Sequence, residues 1–444
     1  MENIMQFLEH KTGLVTGVTG FLAKVFLEKL LRVQPNVKKL YLLLRAADTS
    51  SANQRFYNEV IGKDLFRVVK EKLGANLNSI IAKKIVIVAG DVSYEDLGVK
   101  DSSLREEMIN DLDFILNFAA TTRFDERYDV ALGTNTLGAK NVLCFAKNCL
   151  KLKLLIHVST AYVCGESSGL IMEKPYQLGE ALNGVLGLNI VEEKKLIDRK
   201  LNQLQREGAT EANIKKAMID MGIERTFEGK SANGDRTWRE PFPGWIEGAR
   251  TIDALTVGYG SGKISFFAGD VTAIIDVIPA DMVVNTIIAA MMVHANNQPC
   301  ELVYHVGSSI GNPIRYSNFR DYLYFYFTSK PWILQNGKPV KVAKPTILIT
   351  MVLKLANSIS CDYFQGTYNN LNRKIKCVTR LVELYQPYLF FHGIFDDSNT
   401  NKLLGIAKDN GTETNNFFFD VKSIDWDDYF INTHIPSIVK YVLK

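Results

Sequence analysis

Three small residues near the amino terminus have the spacing of a phosphate-binding turn. Gly17, Gly20 and Ala23 belong to the stretch Thr16-Gly17-x-x-Gly20-x-x-Ala23, between a short apolar run and a segment of helical period. Gly17 permits a tight exit from a strand, Gly20 lets the backbone approach a pyrophosphate, and Ala23 lets the helix lie close to a sheet. The N–H groups and the dipole of the helix N-terminus then favour a bound phosphate. The alternative is a tight strand-to-helix turn without a ligand.

A dinucleotide bound at this turn would contact residues on both sides of the two glycines. The predicted contacts in the turn are Thr16, Gly17, Thr19, Gly20, Phe21 and Leu22. Arg45 ends the second apolar run, where the adenosine ribose of such a cofactor lies, and an arginine there accommodates the 2′-phosphate of NADP. The sequence therefore predicts NADPH as the cofactor. A solvated strand-end arginine is the alternative interpretation of Arg45.

The elements that must position this turn form a regular alternation of strands and helices. Segments of helical period separate short apolar runs at residues 12–16, 39–45, 84–90, 114–120 and 154–160. Strands that are apolar on both faces and alternate with amphipathic helices indicate a parallel sheet covered on both sides. The predicted fold class is α/β, with a Rossmann-like doubly wound parallel sheet.

Small and polar residues follow the third and fourth strands, at the carboxyl ends where open sheets bind ligands. Asp91, directly after the third strand, is a candidate contact for the adenine. Ala119, Ala120 and Thr121, after the fourth strand, are candidates for the lining of the cofactor trough. Ordinary turn chemistry at strand ends explains these four residues equally well.

Composition restricts the class of protein. The 444 residues, of which 47% are hydrophobic and 23% charged, are typical of a globular protein that is too long for one ordinary core. The net charge of +4 is modest and acidic residues are mixed with basic ones, so nucleic acid is not an expected partner. The six cysteines form no C-x-x-C pair, which predicts neither a metal site nor a disulfide framework. Residues 1–13 have no apolar core, so we expect no signal or transit peptide and a cytoplasmic location.

Two domains are predicted. Residues 1–313 form the dinucleotide-binding domain, with a helical insertion of mixed charge at 166–222. Residues 314–444 form a smaller helical and aromatic-rich domain, in which 378–385 carry an apolar stripe. That stripe is explained either by a groove for a fatty chain or by ordinary core packing. The stretch 242–248, FPGWIEG, is expected to begin the substrate side.

Longer strings make the sequence specific to one family. They include HVSTAYVCGE (157–166), EPFPGWIEG (240–248) and IPADMVVN (278–285). With these strings, and nearly from end to end, the chain resembles the alcohol-forming fatty acyl-CoA reductases of the plant male-sterility type, of the extended short-chain dehydrogenase/reductase fold. The resemblance implies reduction of a long-chain acyl-CoA to a primary fatty alcohol with two NADPH, in lipid and wax biosynthesis. It leaves open a peripheral association with the endoplasmic reticulum membrane.

The resemblance also implies which side chains carry the chemistry. Hydride that reaches a thioester or aldehyde carbon leaves negative charge on oxygen, so donors must already face that oxygen. Thr160 matches the hydroxyl that the family places after the fifth strand, and Ser159 is its close competitor. A β-branched residue that fills the strand end is the alternative for Thr160. The family's proton donor is a tyrosine whose pKa is lowered by a lysine four residues later on the same helix face.

That tyrosine and lysine are not found in this chain. Members of the family carry a G-W-P-N-x-Y-x-x-T-K helix and then a strand, but residues 225–240 contain no tyrosine and no apolar run. The stretch is also too short for both elements, so the predicted sheet lacks its catalytic helix and sixth strand. Two other Y-x-x-x-K matches exist, at Tyr259/Lys263 and Tyr326/Lys330. We expect both to be coincidences, because the first contains two glycines and the second precedes a proline.

Three interpretations remain open at this point. The chain is a fatty acyl-CoA reductase whose activity is impaired by the missing segment, a non-catalytic protein that binds NADPH, or an aberrant product of splicing or of the gene model. The glycine turn and Arg45 are compatible with each of them.

Overall fold

A computed structural model describes most of the chain, in the ranges 8–34, 36–123, 125–164, 167–176, 180, 189–226, 240–249, 252–264, 266–268, 270–294, 300–344, 346–348, 391–409 and 417–443. The strands are β1 (Thr12–Thr16), β2 (Lys39–Leu44), β3 (Ile85–Ala89), β4 (Phe114–Asn117), β5 (Leu154–His157), β6 (Ser168–Ile171), β7 (Phe266–Ala268), β8 (Ile274–Ile275), β9 (Ile314–Arg315), β10 (Thr346–Leu348) and β11 (His392–Phe395). The first five form one parallel sheet in the order β3-β2-β1-β4-β5. The α/β fold class is therefore confirmed.

Helices cover both faces of this sheet. The α-helices are α1 (Phe21–Val33), α2 (Thr49–Phe56), α3 (Arg67–Leu73), α4 (Asn76–Lys84), α5 (Ser102–Asp111), α6 (Tyr128–Ala131), α7 (Gly138–Asn148), α8 (Ile190–Arg206), α9 (Glu211–Thr226), α10 (Ile252–Gly260), α11 (Ala280–His294), α12 (Tyr316–Ser329), α13 (Ser398–Asp409), α14 (Trp426–Asp428) and α15 (Ile435–Tyr441). Alternate strand residues enter different cores, since Val15 packs with α1 on one face and Leu14 packs with α7 on the other. Both are fully buried, as expected for a doubly wound sheet.

Helix α1 is buried on its charged side as well as on its apolar side. Lys24, Glu28 and Lys29 are at most 2% exposed, although their spacing alone would place them on a solvated face. Arg32 pairs with Glu28 at 2.9 Å, and Glu240 accepts from both Lys29 (2.8 Å) and Arg32 (3.1 Å). These ion pairs keep the charged face of α1 inside the protein, where unpaired charges would be costly.

Helix α11 joins the sheet to the carboxyl-terminal part of the chain. Its residues Val284 and Met291 pack in the core beneath the sheet, whereas Ala289 packs with the aromatic residues of the carboxyl-terminal core. A helix that is apolar all round is expected to be buried all round. Asn285 Nδ2 also donates to the carbonyl oxygen of Phe418 at 2.7 Å.

A second connection uses a strand that the sequence did not predict. The insertion predicted as helical over 166–222 contains helices α8 and α9, but it also contains β6, which pairs in parallel with β11. Glu173, just after β6, accepts from the backbone N–H of His305 at 2.6 Å and from the N–H of Asn399 in the first turn of α13. A carboxylate at a helix N-terminus is favourable, so Glu173 fastens the insertion to the carboxyl-terminal part.

Other predictions about the carboxyl-terminal part have mixed outcomes. Helix α12 lies in the region predicted to be helical and aromatic-rich. Strand β8 lies before the predicted domain boundary at 313/314 and pairs antiparallel with β9, which lies directly after it. The apolar stripe at 378–385 lies outside the described residues. Within the described ranges, no helix is both long and apolar enough to cross a membrane.

Replacing Glu28 with glutamine should remove a pH dependence from the stability of the protein. Burial raises the pKa of Glu28 from its ordinary 4.5 to about 7, although Arg32 opposes the rise. Between about pH 4.5 and about pH 7, Glu28 keeps its proton in the folded chain but has released it in the unfolded chain. Protonated Glu28 therefore contributes its full stabilisation to the folded state below about pH 4.5. This contribution, up to about 3 kcal/mol of unfolding free energy, is lost as the pH rises through about 7.

Urea unfolding of the natural chain and of Glu28→Gln at about pH 5 and about pH 8 measures this contribution. The difference in unfolding free energy between the two chains should shrink or reverse at the higher pH. A difference that is the same at both pH values would contradict the assignment.

Candidate active site

The turn between β1 and α1 lies against the end of β4, at the point where the strand order of the sheet reverses. Gly17 has a φ of +65°, and a Cβ built on it would lie 2.6 Å from the backbone N of Ala119 and from the carbonyl carbon of Phe118. Both the conformation and the contact therefore require glycine here. A Cβ on Gly20 would lie 2.9 Å from the carbonyl oxygen of Gly17. The carboxyl end of an open parallel sheet at such a reversal is where dinucleotides bind.

The N-terminus of α1 is available to an anion. Gly20 is its N-cap, without a side-chain cap, and the first turn contains no acidic residue. Gly20 is exposed, Thr19 and Leu22 are half-buried, and Phe21 is buried. A phosphate fits this arrangement, because backbone N–H groups and the helix dipole favour negative charge at an uncapped N-terminus.

A row of hydrogen bonds runs across the last residues of three neighbouring strands. Thr16, Asn117 and His157 are partners in the parallel register of β1, β4 and β5. Thr16 Oγ1 donates to Asn117 Oδ1 at 2.5 Å, and Asn117 Nδ2 donates to His157 Nδ1 at 2.9 Å. Ala119 N donates to Thr16 Oγ1 at 3.2 Å. The row fixes the β1 and β4 exits relative to each other and holds the imidazole as an acceptor at Nδ1.

Sequence analysis missed Asn117 and His157. Each is the polar last residue of an otherwise apolar strand, as Thr16 is in β1, and this repeated position is the signal that would have found them. Desolvation by neighbouring groups lowers the pKa of His157, although part of its side chain is exposed. A neutral imidazole agrees with its role as an acceptor.

The residues predicted around the adenosine lie at the same edge of the sheet. Arg45 follows β2 with an exposed side chain, and its carbonyl oxygen accepts from Arg55 Nη1 at 2.5 Å. Asp91 closes the turn after β3, where its Oδ1 accepts from the backbone N and the hydroxyl of Ser93. That bonding is the turn chemistry considered above as the alternative for Asp91. The contacts of both residues with a cofactor remain predictions.

The segment after β4 is held by an amide that sequence analysis did not single out. Thr121 N donates to Asn135 Oδ1 at 2.8 Å, and Asn135 Nδ2 donates to the Thr121 carbonyl at 3.0 Å. Asn135 belongs to a single π-helical stretch, Leu132–Leu137, and such stretches are frequent at functional sites. Ala119 is half-buried and Ala120 is exposed, so both are accessible from the trough.

The predicted hydroxyls follow β5. Ser159 is exposed and Thr160 is half-buried, and Thr160 Oγ1 accepts from the backbone N of Tyr162 at 3.3 Å. Tyr162 is the tyrosine next to these hydroxyls in sequence, but its ring packs against both Phe391 and Phe395, with centroids 5.1 and 5.0 Å away, and the three rings form one cluster. Burial raises the pKa of Tyr162 well above its ordinary value, so this phenol is a poor source of a proton.

The two formal Y-x-x-x-K matches do not form a catalytic pair. Tyr259 lies in the last turn of α10, and the turn that the two glycines favour follows at 261–263. The Tyr259 hydroxyl donates to the Ala343 carbonyl at 2.8 Å. Tyr326 is 6% exposed in the aromatic core, and Lys330 Nζ lies over its ring at 5.5 Å from the centroid. Burial raises the pKa of Tyr259 to about 12 and raises that of Tyr326. Both phenols serve packing.

Replacing Thr16 with valine should destabilise the protein, whereas serine should be tolerated. Valine keeps the shape but removes the buried hydroxyl donor of Asn117 Oδ1, which keeps the longer bond from Ala119 N at 3.3 Å. Loss of the hydroxyl bond costs about 0.5–1.5 kcal/mol, and serine retains the hydroxyl. Urea unfolding of the two variants measures the difference. Equal stability of Thr16→Val and Thr16→Ser would show that the Thr16 hydroxyl bond does not contribute to the free energy of unfolding.

Comparison with known proteins agrees with this geometry. Two family models, both described as "Male sterility protein", match residues 15–287 and 345–444, and the first is an NAD-binding model. The chain is 49% identical to an alcohol-forming fatty acyl-CoA reductase of Simmondsia chinensis, with 100% of this chain and 99% of the relative covered. It is 46% identical to fatty acyl-CoA reductase 1 of Arabidopsis thaliana, with the same coverage. The first alignment has 490 positions against 444 residues here, so that relative carries residues that this chain lacks.

Solved structures show the same fold at low identity. The reductase domain of a nonribosomal peptide synthetase from Mycobacterium tuberculosis has a TM-score of 0.58 at 17% identity, covering 98% of this chain and 92% of that one. The terminal reductase domain of the myxalamid pathway has a TM-score of 0.56 at 18% identity, covering 97% and 91%. Together with the matched family models and the identity over the full length, these findings show that the chain belongs to the male-sterility family of fatty acyl-CoA reductases.

Proposed function

We propose that this chain is an NADPH-dependent, alcohol-forming fatty acyl-CoA reductase with weakened proton transfer. The observation that carries the proposal is the close approach of the Gly17 turn to the β4 exit, at the reversal of strand order, with the Thr160 hydroxyl two strands away at the same edge. This arrangement supports the proposal of a phosphate site and an oxyanion donor at the same edge of the sheet. NADPH, when bound there, supplies hydride.

The overall reaction takes two reductions. In the first, an acyl-CoA, NADPH and a proton give the aldehyde, free coenzyme A and NADP⁺. In the second, the aldehyde, NADPH and a proton give the primary alcohol and NADP⁺. Thr160 donates a hydrogen bond to the carbonyl oxygen as negative charge develops, and Ser159 is the second candidate for that role.

Proton delivery is the weak point of this chain. The tyrosine and lysine that the family carries are missing from the sequence, and Tyr162, Tyr259 and Tyr326 are each held in packing contacts. These contacts favour a second candidate function, a protein that binds NADPH without reducing a substrate. The two functions differ in turnover and agree in cofactor binding.

We expect the full chain to produce a fatty alcohol slowly, and Thr160→Val to reduce the rate by about 100-fold, the typical effect of losing one oxyanion donor. Purified chain, NADPH and a series of saturated long-chain acyl-CoA thioesters, with the alcohol quantified by gas chromatography, measure this. Tyr259→Phe and Tyr326→Phe are the matched controls and should be unaffected.

A graft separates the two candidate functions. Replacing residues 227–239 with the G-W-P-N-x-Y-x-x-T-K helix and following strand of a family member should raise turnover by at least about 100-fold, since general acid catalysis contributes that much. If the natural chain gives no alcohol but binds NADPH, and the graft is active, the non-catalytic function is correct.

Sequencing transcripts across the codons for 224–241 tests the third interpretation, an aberrant splice product.

Arg45 should set the preference for NADPH over NADH. Arg45→Ala removes the charged partner proposed for the 2′-phosphate, and hydrogen bonds to charged groups are worth enough to lower NADPH affinity about 10- to 100-fold. NADH affinity should not change, and Arg45→Lys should keep part of the preference. Isothermal titration with both cofactors measures it. A parallel loss of NADH affinity would show that Arg45 acts on the fold and not on the phosphate.

We also propose the division into domains 1–313 and 314–444, and a location either in the cytoplasm or at the periphery of the endoplasmic reticulum membrane. The two family models fall on either side of that boundary. Cell fractionation with and without a carbonate wash tests the attachment.

A further inference from the structure

The segment 240–248, which includes the stretch 242–248 predicted to begin the substrate side, lies against α1. Trp245 is 3% exposed and stacks on Phe21, with ring centroids 5.3 Å apart and planes 8° apart. Phe21 is the first residue of α1 and directly follows Gly20. The indole therefore supports the turn that presents N–H groups to the cofactor.

Two glutamates of the same segment bind the charged face of α1. Glu247 pairs with Lys24, whose side chain is 2% exposed, and also with Lys63 at 3.2 Å. Glu240 pairs with Lys29, whose side chain is fully buried, at 2.8 Å. One segment thus holds α1 at both its first turn and its middle.

Burial makes these contacts necessary. It lowers the pKa of Lys24 and of Lys29, and the hydrogen bonds and charges of Glu247 and Glu240 oppose that shift. Removing one partner of a buried pair leaves an uncompensated charge. Without Glu247, the buried Lys24 ammonium loses its ion-pair partner, which favours loss of the proton or movement of the side chain out of this site.

Lys24 couples this charge to the phosphate site. Its backbone N donates to the Gly20 carbonyl oxygen at 3.2 Å, which closes the first turn of α1. A shift of the Lys24 backbone would act on Gly20 through this bond, and the Gly20 N–H in turn donates to the Gly17 carbonyl at 2.8 Å. The path from Glu247 to the turn consists of one ion pair and two backbone hydrogen bonds.

We propose that residues 240–248 form a clamp that fixes the first turn of α1 in the geometry that binds the cofactor phosphates. Trp245 and Glu247 are positioning residues in this clamp, because they act through Phe21 and Lys24 and do not contact the ligand. The inference rests on the proposed function, in that NADPH is taken as the ligand. The clamp preorganises the β1–α1 turn, so the turn loses less conformational entropy when the cofactor binds.

The test compares disruptive and conservative variants of the full chain by isothermal titration with NADPH. Glu247→Gln and Trp245→Ala should each weaken NADPH binding by about tenfold, a modest loss of preorganisation. Glu247→Asp and Trp245→Phe retain the charge and the stacked ring, so they should recover most of the affinity. Leu323→Ala, which opens a cavity in the carboxyl-terminal core, is the control that lowers stability without altering affinity.

A second ligand distinguishes the clamp from a general loss of structure. Adenosine 2′-phosphate has no pyrophosphate, so its affinity should be the same in all the variants while that of NADPH falls. Unchanged NADPH affinity in Glu247→Gln and Trp245→Ala, or an equal loss for both ligands, would overturn the clamp. If the natural chain itself does not bind NADPH, the proposed function fails, and that outcome is distinct from the other two.

Discussion

The close approach of the β1–α1 turn to the exit of β4 constrains the rest of the amino-terminal domain. A single methyl group on Gly17 would overlap the backbone at Phe118 and Ala119, so the two strand exits are separated by less than one side chain. The hydrogen bonds of Thr16, Asn117 and Ala119 can form only at that separation. The start of α1 is therefore held next to the exit of β4.

Helix α1 can hold this position only because its polar side is buried and neutralised. A helix that lies on a sheet normally turns its charged residues to water, but here Lys24, Glu28 and Lys29 face protein. The segment 240–248 supplies the opposite charges, and Phe417 lies under Lys29 Nζ at 5.1 Å from its ring centroid. Segments far apart in sequence thus meet on α1. These contacts connect the carboxyl-terminal part of the chain to the β1–α1 turn, although no residue of that part belongs to the turn.

The parts of this structure that depend on local pattern could be predicted from the sequence. All five strands of the main sheet were anticipated within a few residues, because runs such as Leu40–Leu44 are apolar on both faces. The glycine turn follows from backbone geometry, which is also local. The β6–β11 pair and the clamp could not be predicted, because Ser168 and His392 pair across more than two hundred residues and Glu247 finds Lys24 only after folding. Asn117 and His157 lie between these cases, since their position is local but their partnership depends on register.

Cofactor binding and proton transfer depend on different segments of the chain. The proposed cofactor site depends on backbone groups and small residues of the β1–α1 turn, whereas the proton transfer that the family resemblance implies depends on one phenol and one ammonium in a fixed relation. Neither Tyr162 nor Tyr259 replaces that pair: Tyr162 packs against Phe391 and Phe395, and Tyr259 donates to a carbonyl. The hydroxyl proposed as oxyanion donor, that of Thr160, is suited to stabilising negative charge on oxygen but is too weak an acid to deliver the proton at neutral pH. A chain of this kind is expected to lose rate before it loses affinity, because the groups that bind the phosphates and the groups that deliver the proton lie on different segments.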